Sequence, residues 1–204
     1  ANLLLDEGLI SRAIQHFEEA VTVSPYNFEA RLELGRALRI SGKYTEAEYH
    51  LRRSLYTNSS SAYGYAELAL TLQAQNKLTE SIDYFKNALA LEPNSGEYSY
   101  LLGKTLWMAN KLSEAEQQLR HTLRQNPEET EWHTLLVLVL TQQGKTQNTL
   151  EEIQHIVEKK PHSPATYYNL GLIYNQIGDK KSAKNSFEKA IALCEANTDD
   201  INNL

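Results

Sequence analysis

Apolar side chains recur along this chain at the three- and four-residue spacing of an α-helix. Leu34 and Leu38 form one such run, and Ala47, Leu51 and Leu55 form another. Residues at this spacing lie on one face of a helix, where they are buried together. Polar segments containing Gly, Asn, Ser or Pro separate the runs. The chain is therefore predicted to be all-α, with helices and turns alternating throughout.

The pattern repeats every 34 residues without an insertion. Positions that lie 34 residues apart form a column, and one column holds only Gly or Asn. These two residues tolerate the left-handed backbone conformation that ends a helix. Its members are Gly8, Gly42, Asn76, Asn110, Gly144 and Gly178. A second column is small except at its valine, and a small residue lets two helices approach closely. Its members are Ala1, Gly35, Ala69, Gly103, Val137 and Gly171. We therefore predict six helix ends and two antiparallel helices in each complete repeat.

Proline closes most of the repeats, because it stops one helix before the next one begins. This column contains Pro25, Pro93, Pro127 and Pro161, with Ser59 and Glu195 in the other two copies. Since Glu195 provides no such stop, we expect the last helix to continue toward Asn197. Ser163 precedes a predicted helix and is expected to cap it. Asn94 with Ser95, and Ser60 with Ser61, offer caps in the same column.

These columns divide the chain into one predicted array of repeats. An incomplete first repeat covers residues 1–27. Five complete repeats cover 28–61, 62–95, 96–129, 130–163 and 164–197, and a tail covers 198–204. A single helix pair cannot bury its own apolar face, so neighbouring pairs are expected to stack.

Two segments carry a family resemblance. They are EPNSGEYSYLLGKTLWMANKLSEAEQQL and YYNLGLIYNQIGDKKSAKNSFEKAIAL. With its 34-residue period, this pattern of Leu-Gly, Tyr or Leu, Ala, Phe, Ala and Pro resembles the tetratricopeptide repeat family. The resemblance implies a right-handed α-solenoid of stacked antiparallel helix pairs. It also implies that the first helix of each pair lines a concave groove.

Composition and charge narrow the function classes. The chain has 204 residues, of which 41% are hydrophobic, enough to bury a core. Its net charge of -6 argues against binding nucleic acid, which requires a basic surface. The longest apolar run, 135–140, is too short to span a membrane, and Cys194 is the only cysteine. No signal peptide is visible. We expect a cytoplasmic protein, with a periplasmic location left open if a signal was removed.

Catalytic and metal-binding signatures are absent from the sequence. It contains no GxSxG, HExxH or GxxxxGK[ST] motif and no cysteine pair. Its six histidines are scattered among the repeat columns. His121 and His155 share a column, but stacked repeats would place them too far apart for one metal ion. We therefore expect no enzymatic activity, no cofactor and no metal.

The resemblance implies a set of binding residues on the concave face. They are Arg36, Arg39, Tyr63, Tyr100, Lys104, Trp107, Met108, Tyr168, Asn169, Leu172 and Asn175, and Leu32 and Leu138 occupy matching positions. Aromatic residues and arginine commonly anchor interfaces. The three basic residues favour a partner segment that mixes acidic and apolar residues. In this family, an asparagine at the position of Asn169 often bonds the backbone of a bound peptide. The tyrosines have an alternative role, which is packing against the neighbouring first helix.

These observations favour a non-catalytic scaffold that binds a peptide or helix of another protein within a multiprotein assembly. Family members that clamp the carboxylate end of chaperone tails need lysines and asparagines at positions that here hold Leu32, Glu33 and Arg36, so that role is disfavoured. Two alternatives stay open. The chain could be the recruiting segment of a larger enzyme, such as a glycosyltransferase. It could also be a self-assembling scaffold of a bacterial envelope, pilus or secretion system, with the truncated first repeat receiving another copy.

Overall fold

The computed structural model is built from helices joined by short turns. It describes the backbone of residues 2–159, 161 and 163–202, and the side chains of residues 8–129, 131–159, 161 and 163–196. In these residues there are eleven helices and no strand, which confirms the all-α prediction. The helices are α1 (Asn2–Val23), α2 (Phe28–Ile40), α3 (Tyr44–Thr57), α4 (Ala62–Ala74), α5 (Leu78–Leu91), α6 (Gly96–Met108), α7 (Leu112–Gln125), α8 (Thr130–Gln142), α9 (Thr146–Lys159), α10 (Pro164–Gln176) and α11 (Lys180–Asn202).

The chain contains two compact units. Unit 1 is Ala1–Asn110 and holds α1 to α6, whereas unit 2 is Lys111–Leu204 and holds α7 to α11. Within each unit, every helix packs against the next one along the chain. We call α2, α4, α6, α8 and α10 the first helices, since each begins where a complete repeat is predicted to start. That the six repeats form one continuous array stays a prediction.

Five of the six predicted helix ends are confirmed by their backbone conformation. The positive φ angles are +80° at Gly42, 61° at Asn76, 57° at Asn110, +71° at Gly144 and +84° at Gly178. The prediction for Gly8 is wrong, because α1 continues through it. Fewer than two helical turns precede Gly8 in this helix, and an uninterrupted helix satisfies backbone hydrogen bonds that a turn there would leave open.

The small column provides close helix contacts, as the sequence predicts. A Cβ atom added to Gly35 would lie 2.5 Å from Cγ of Leu51, which is fully buried. A Cβ atom added to Gly171 would lie 2.5 Å from the ring of Phe187. Both distances are far below ordinary carbon–carbon contact distances. Glycine therefore allows the first and second helix of these repeats to approach each other.

Helix starts follow the predicted capping pattern. The Ser61 hydroxyl accepts a hydrogen bond from the Gly64 amide at 3.0 Å, and Ser95 and Ser163 cap α6 and α10 in the same way. Each cap satisfies one of the amides that a helix start leaves unpaired. The last helix, α11, has no proline stop and continues past Glu195, as expected.

Candidate interaction surface

The candidate binding residues lie on the first helices, and we refer to their solvent-accessible side chains as the first-helix face of each unit. Unit 1 contributes Arg36, Arg39, Tyr63, Tyr100, Lys104, Trp107 and Met108, and unit 2 contributes Leu138, Tyr168, Asn169, Leu172 and Asn175. Leu32 is the exception. It is only 6% exposed and packs with Leu51 and Leu68 in the core, so its predicted place on the face is wrong.

Arg39 already has a carboxylate partner within unit 1. Its Nε atom donates to Oε2 of Glu67 at 2.9 Å, and its Nη2 atom donates to Oε1 at 3.4 Å. This ion pair joins α2 to α4, and the Glu67 side chain is 6% exposed. Burial, together with the nearby Glu67 carboxylate, raises the pKa of Tyr63 to about 12. The pair is a structural link between two first helices that the repeat columns do not predict.

The other two basic residues of unit 1 are less constrained. Nη1 of Arg36 lies 3.3 Å from Oε2 of Glu33. Both side chains are more than a third exposed, so this ion pair contributes little stability. Lys104 is half-buried and takes part in none of the ion pairs among the described residues. Arg36 and Lys104 are therefore the cations of this face that a ligand carboxylate reaches most easily.

Large apolar side chains accompany these cations. Met108, at the end of α6, is 42% exposed, and Tyr100 and Trp107 on the same helix are half-buried. A hydrogen bond of 2.8 Å from Gln73 to Thr105 holds α4 against α6. The unit 1 face thus presents apolar and basic groups from helices that are fixed to one another.

Unit 2 has a more neutral first-helix face. Leu138 and Leu172 are 42% and 45% exposed, and Asn175 is also exposed. Asn169 is half-buried at the wall of a cavity of about 230 Å³ between α8, α9 and α10, which also contacts Val137 and Ile153. No hydrogen bond among the described residues uses the Asn169 amide. The cavity is lined by both polar and apolar side chains. An amide at its wall suits a ligand that offers a backbone group and a small apolar side chain.

Tyr168 lies at a different cavity. Its ring packs against Phe187 with centroids 5.7 Å apart. Both rings border an apolar cavity of about 690 Å³ between α10 and α11. The predicted set of site residues therefore divides in unit 2, with Tyr168 on one surface and Leu172 and Asn175 on another.

A buried histidine fixes the helix pair α8–α9. Nδ1 of His133 donates to Glu152, and its Nε2 donates to the Pro127 carbonyl at 2.9 Å. Both partners are acceptors only, so the doubly protonated imidazolium satisfies both bonds. Burial alone would lower the pKa of His133, but these hydrogen bonds and the negative charges of Glu152 and Glu128 raise it.

This arrangement predicts a pH-dependent stability for unit 2. Because the folded pKa of His133 lies above its ordinary value of 6.5, its stabilisation is complete below that pH and is lost as pH rises through the folded pKa. The free energy of unfolding of His133→Gln should therefore approach that of the wild type as pH rises above 6.5 and through the folded pKa. Urea titrations measure this, and a difference that stays constant over the range would contradict it.

In the part of the chain that the structure describes, no group of three or more His, Cys, Asp or Glu side chains could hold a metal ion. None of the described helices is both long and apolar enough to cross a bilayer.

Three family models, each described as Tetratricopeptide repeat, match separate parts of the chain. They match residues 1–62, 72–138 and 164–197. No curated protein matches the sequence.

Several solved structures share the fold. YrrB, a TPR protein with an unusual peptide-binding site, is 21% identical with a TM-score of 0.71, over 89% of this chain and 93% of YrrB. A crystal structure of MamA is 22% identical with a TM-score of 0.74, over 81% of this chain and 97% of MamA. MamA from Desulfovibrio magneticus RS-1 is 19% identical with a TM-score of 0.76, over 83% of this chain and 96% of that chain. At these identities, the likeness concerns the fold alone.

Proposed function

The chain belongs to the tetratricopeptide repeat family, and from this premise we propose that it is a non-catalytic scaffold that binds a peptide or helical segment of another protein. The binding site is the first-helix face, which would be the concave groove of the array. The scaffold works within a multiprotein assembly, in the cytoplasm. One structural neighbour, YrrB, is described as having a peptide-binding site, and peptide binding is the activity proposed here.

The observation that carries this proposal is the exposure of large apolar side chains on the first helices. Met108, Leu138 and Leu172 are each more than 40% exposed. Apolar side chains grouped with aromatic and basic residues are typical of interface anchors. Covering each of them would contribute roughly 1 to 2 kcal/mol of binding free energy.

The charges of the first-helix face restrict the class of ligand that we propose. Arg36 and Lys104 can each form an ion pair with a ligand carboxylate without breaking a buried ion pair, whereas Arg39 cannot. We therefore assign the acidic preference to these two residues in unit 1. Asn169 in unit 2 is assigned to the ligand backbone.

Selection from a phage-displayed library of random peptides, with the full chain as bait, tests this proposal. Met108→Asp should lower the affinity of selected peptides that bind unit 1 by about tenfold or more, and Leu172→Asp should do the same for peptides that bind unit 2. In each variant a charge would replace an apolar anchor. Tyr56→Asp is the matched control, because Tyr56 is 83% exposed on the second helix α3. Peptides that bind both first-helix variants as tightly as the wild type would refute the proposal.

The salt dependence of binding tests the charge assignment separately. Replacing both Arg36 and Lys104 by alanine should weaken the binding of acidic peptides. It should also make their affinity decrease less steeply as the salt concentration rises. A salt dependence equal to that of the wild type would refute the acidic preference.

Self-association is a second candidate function, which one observation favours. An apolar cavity of about 230 Å³ lies between α1 and α2, beside Leu9 and Ile40, which are 61% and 47% exposed. A second copy could cover it. Sedimentation velocity over a concentration series distinguishes this candidate, because a persistent monomer would count against it.

A further inference from the structure

A cavity of about 390 Å³ lies between α7, α8 and α9 of unit 2. We call it the arginine pocket, and its lining includes Arg120, Leu123, Arg124, His133, Leu136 and Glu152. None of the residues proposed for the first-helix face of unit 2 lines it. Its volume lies in the range of ligand pockets, about 300 to 1,000 Å³. The arginine pocket is therefore a second candidate site, independent of the first-helix face.

The same columns in repeats 2 and 3 are filled by aromatic rings. Leu55, Tyr65, Leu68 and Tyr84 stand there in the columns of Leu123, His133, Leu136 and Glu152. In unit 1 the two leucines belong to one core cluster, and the tyrosine rings pack against it. The rings of Tyr65 and Tyr84 stack with their centroids 6.1 Å apart. Unit 2 keeps the leucines but has neither ring, and the cavity is open at this junction.

The two residues that replace the tyrosines are held by each other. Nδ1 of His133 donates to Glu152, and its Nε2 donates to the Pro127 carbonyl at 2.9 Å. Neither side chain can move into the cavity without breaking this arrangement. The opposite charges of the imidazolium and the carboxylate also cancel. His133 and Glu152 therefore form a fixed and nearly neutral wall of the arginine pocket.

The other charges at the pocket are mainly positive. Arg124 is exposed and takes part in none of the ion pairs among the described residues. Nε of Arg120 donates to Glu116 at 3.0 Å, and Lys145 binds the same carboxylate. Two cations thus share one carboxylate, while Arg124 has none. This excess of positive charge, on a chain with a net charge of -6, favours an anionic ligand.

Repeat 2 shows how an arginine in the column of Arg120 binds an aromatic ring. Arg52 occupies that column. Its Nη1 donates to the Tyr84 hydroxyl at 2.6 Å, and its guanidinium lies over the Tyr84 ring, 5.4 Å from the centroid. Arg120 has no such ring, because Glu152 stands in the column of Tyr84. A tyrosine from a ligand would give Arg120 both the hydrogen bond and the cation–π contact.

From these contacts we infer that the arginine pocket binds a tyrosine of a partner peptide that carries a carboxylate beside its ring. The ring would lie against Leu123 and Leu136, where the repeat columns of unit 1 place Tyr65 and Tyr84. Arg124 would pair with the carboxylate, since a guanidinium matches a carboxylate with two parallel hydrogen bonds. The C-terminal carboxylate of the tyrosine and the side chain of an adjacent acidic residue both provide this chemistry.

A second copy of this chain fits the pocket less well. Among the described residues, its two most exposed tyrosines are Tyr26 and Tyr56, at 77% and 83%. Neither has an acidic residue next to it in the sequence. Each would bring a ring to the pocket without the anion that Arg124 requires.

Titration calorimetry of the full chain with short glycine-serine peptides tests the inference. One peptide ends in tyrosine with a free carboxylate, a second is the same peptide amidated, and a third is amidated and ends in tyrosine followed by aspartate. We expect saturable binding of the first or the third peptide, at least about tenfold tighter than binding of the second. The tighter of the two identifies the source of the carboxylate. A peptide ending in alanine with a free carboxylate should also bind at least about tenfold more weakly, because it lacks the ring.

Variants of the protein locate the binding. Arg124→Glu should weaken the best peptide by about tenfold or more, whereas Arg12→Glu, an equal charge change at an exposed residue of α1, should not. His133→Tyr combined with Glu152→Tyr restores both rings of unit 1 and should abolish binding by filling the pocket. Circular dichroism checks that this double variant is folded. Leu172→Asp should leave the affinity unchanged, which separates the arginine pocket from the first-helix face.

Three results would overturn the inference. One is that neither carboxylate-bearing tyrosine peptide binds more tightly than the amidated one. Another is that Arg124→Glu binds the best peptide as tightly as the wild type. The third is that no peptide binds while the chain self-associates in sedimentation velocity and Arg124→Glu abolishes this association, which would assign the pocket to a second copy.

Discussion

Arg39→Ala should lower the free energy of unfolding by about 3 kcal/mol, because it leaves the Glu67 carboxylate buried without its cation. Glu67 is 5% exposed, and Arg39 makes both hydrogen bonds to its carboxylate that join α2 to α4. This loss lies at the lower end of the range that is usual for breaking a buried ion pair, because the Arg39 side chain is itself 24% exposed. Urea unfolding measures the loss.

Two further variants separate this ion pair from general packing. Arg36→Ala, which removes an exposed pair on the same helix, should change stability by less than about 0.5 kcal/mol. Arg39→Met combined with Glu67→Leu should recover most of the loss, because apolar side chains of similar size need no partner. Equal stability losses for Arg39→Ala and Arg36→Ala would contradict the buried ion pair. Arg39→Ala is also unsuitable as a test of ligand binding by itself, since it acts on the fold.

Gly35→Ala should cost about 1 to 3 kcal/mol of stability through overpacking. The new methyl group would lie 2.5 Å from Cγ and 2.8 Å from Cδ2 of Leu51, which is fully buried in one core cluster with Leu55 and Leu68. Gly171→Ala should cost less, because its neighbour Phe187 borders the apolar cavity between α10 and α11 and its ring can shift there. Thermal and urea unfolding of both variants give the comparison.

Gly8→Ala is the matched control for the glycine variants. An added Cβ atom at Gly8 meets nothing within 4 Å, and the residue lies inside α1. Alanine should therefore stabilise the helix, by up to about 1 kcal/mol. Stabilisation by all three substitutions would show that the small column does not serve close helix packing.

The repeated columns predict the local structure of this chain well because helix ends and caps depend on neighbouring residues. The left-handed conformation of Asn76 and the capping hydroxyl of Ser61 each depend on one residue and the few that surround it. The predicted helix end at Gly8 is wrong because the position of a residue in a column does not alone decide its backbone conformation. The same glycine lies within a helix when the residues before it are helical as well.

The candidate site was less predictable because it depends on contacts between repeats. Column positions place Arg39 on the first-helix face, but only the structure shows that Glu67, 28 residues later, takes up its guanidinium. A basic residue followed by a glutamate at that separation is the signal that could have indicated the pair. Tyr168 occupies the column that faces the next first helix, so its surroundings depend on the element that packs onto its repeat and not on the repeat itself.

The central claim, that ligands bind to the first helices, is tested most directly by site-specific photo-crosslinking with a peptide selected on the full chain. Benzoylphenylalanine would replace Met108, Leu172 or Tyr56 in turn, since all three side chains are exposed. We predict crosslinks to the peptide from position 108 or 172, on the first helices, and none from position 56, on a second helix. Crosslinks from position 56 alone would contradict the claim.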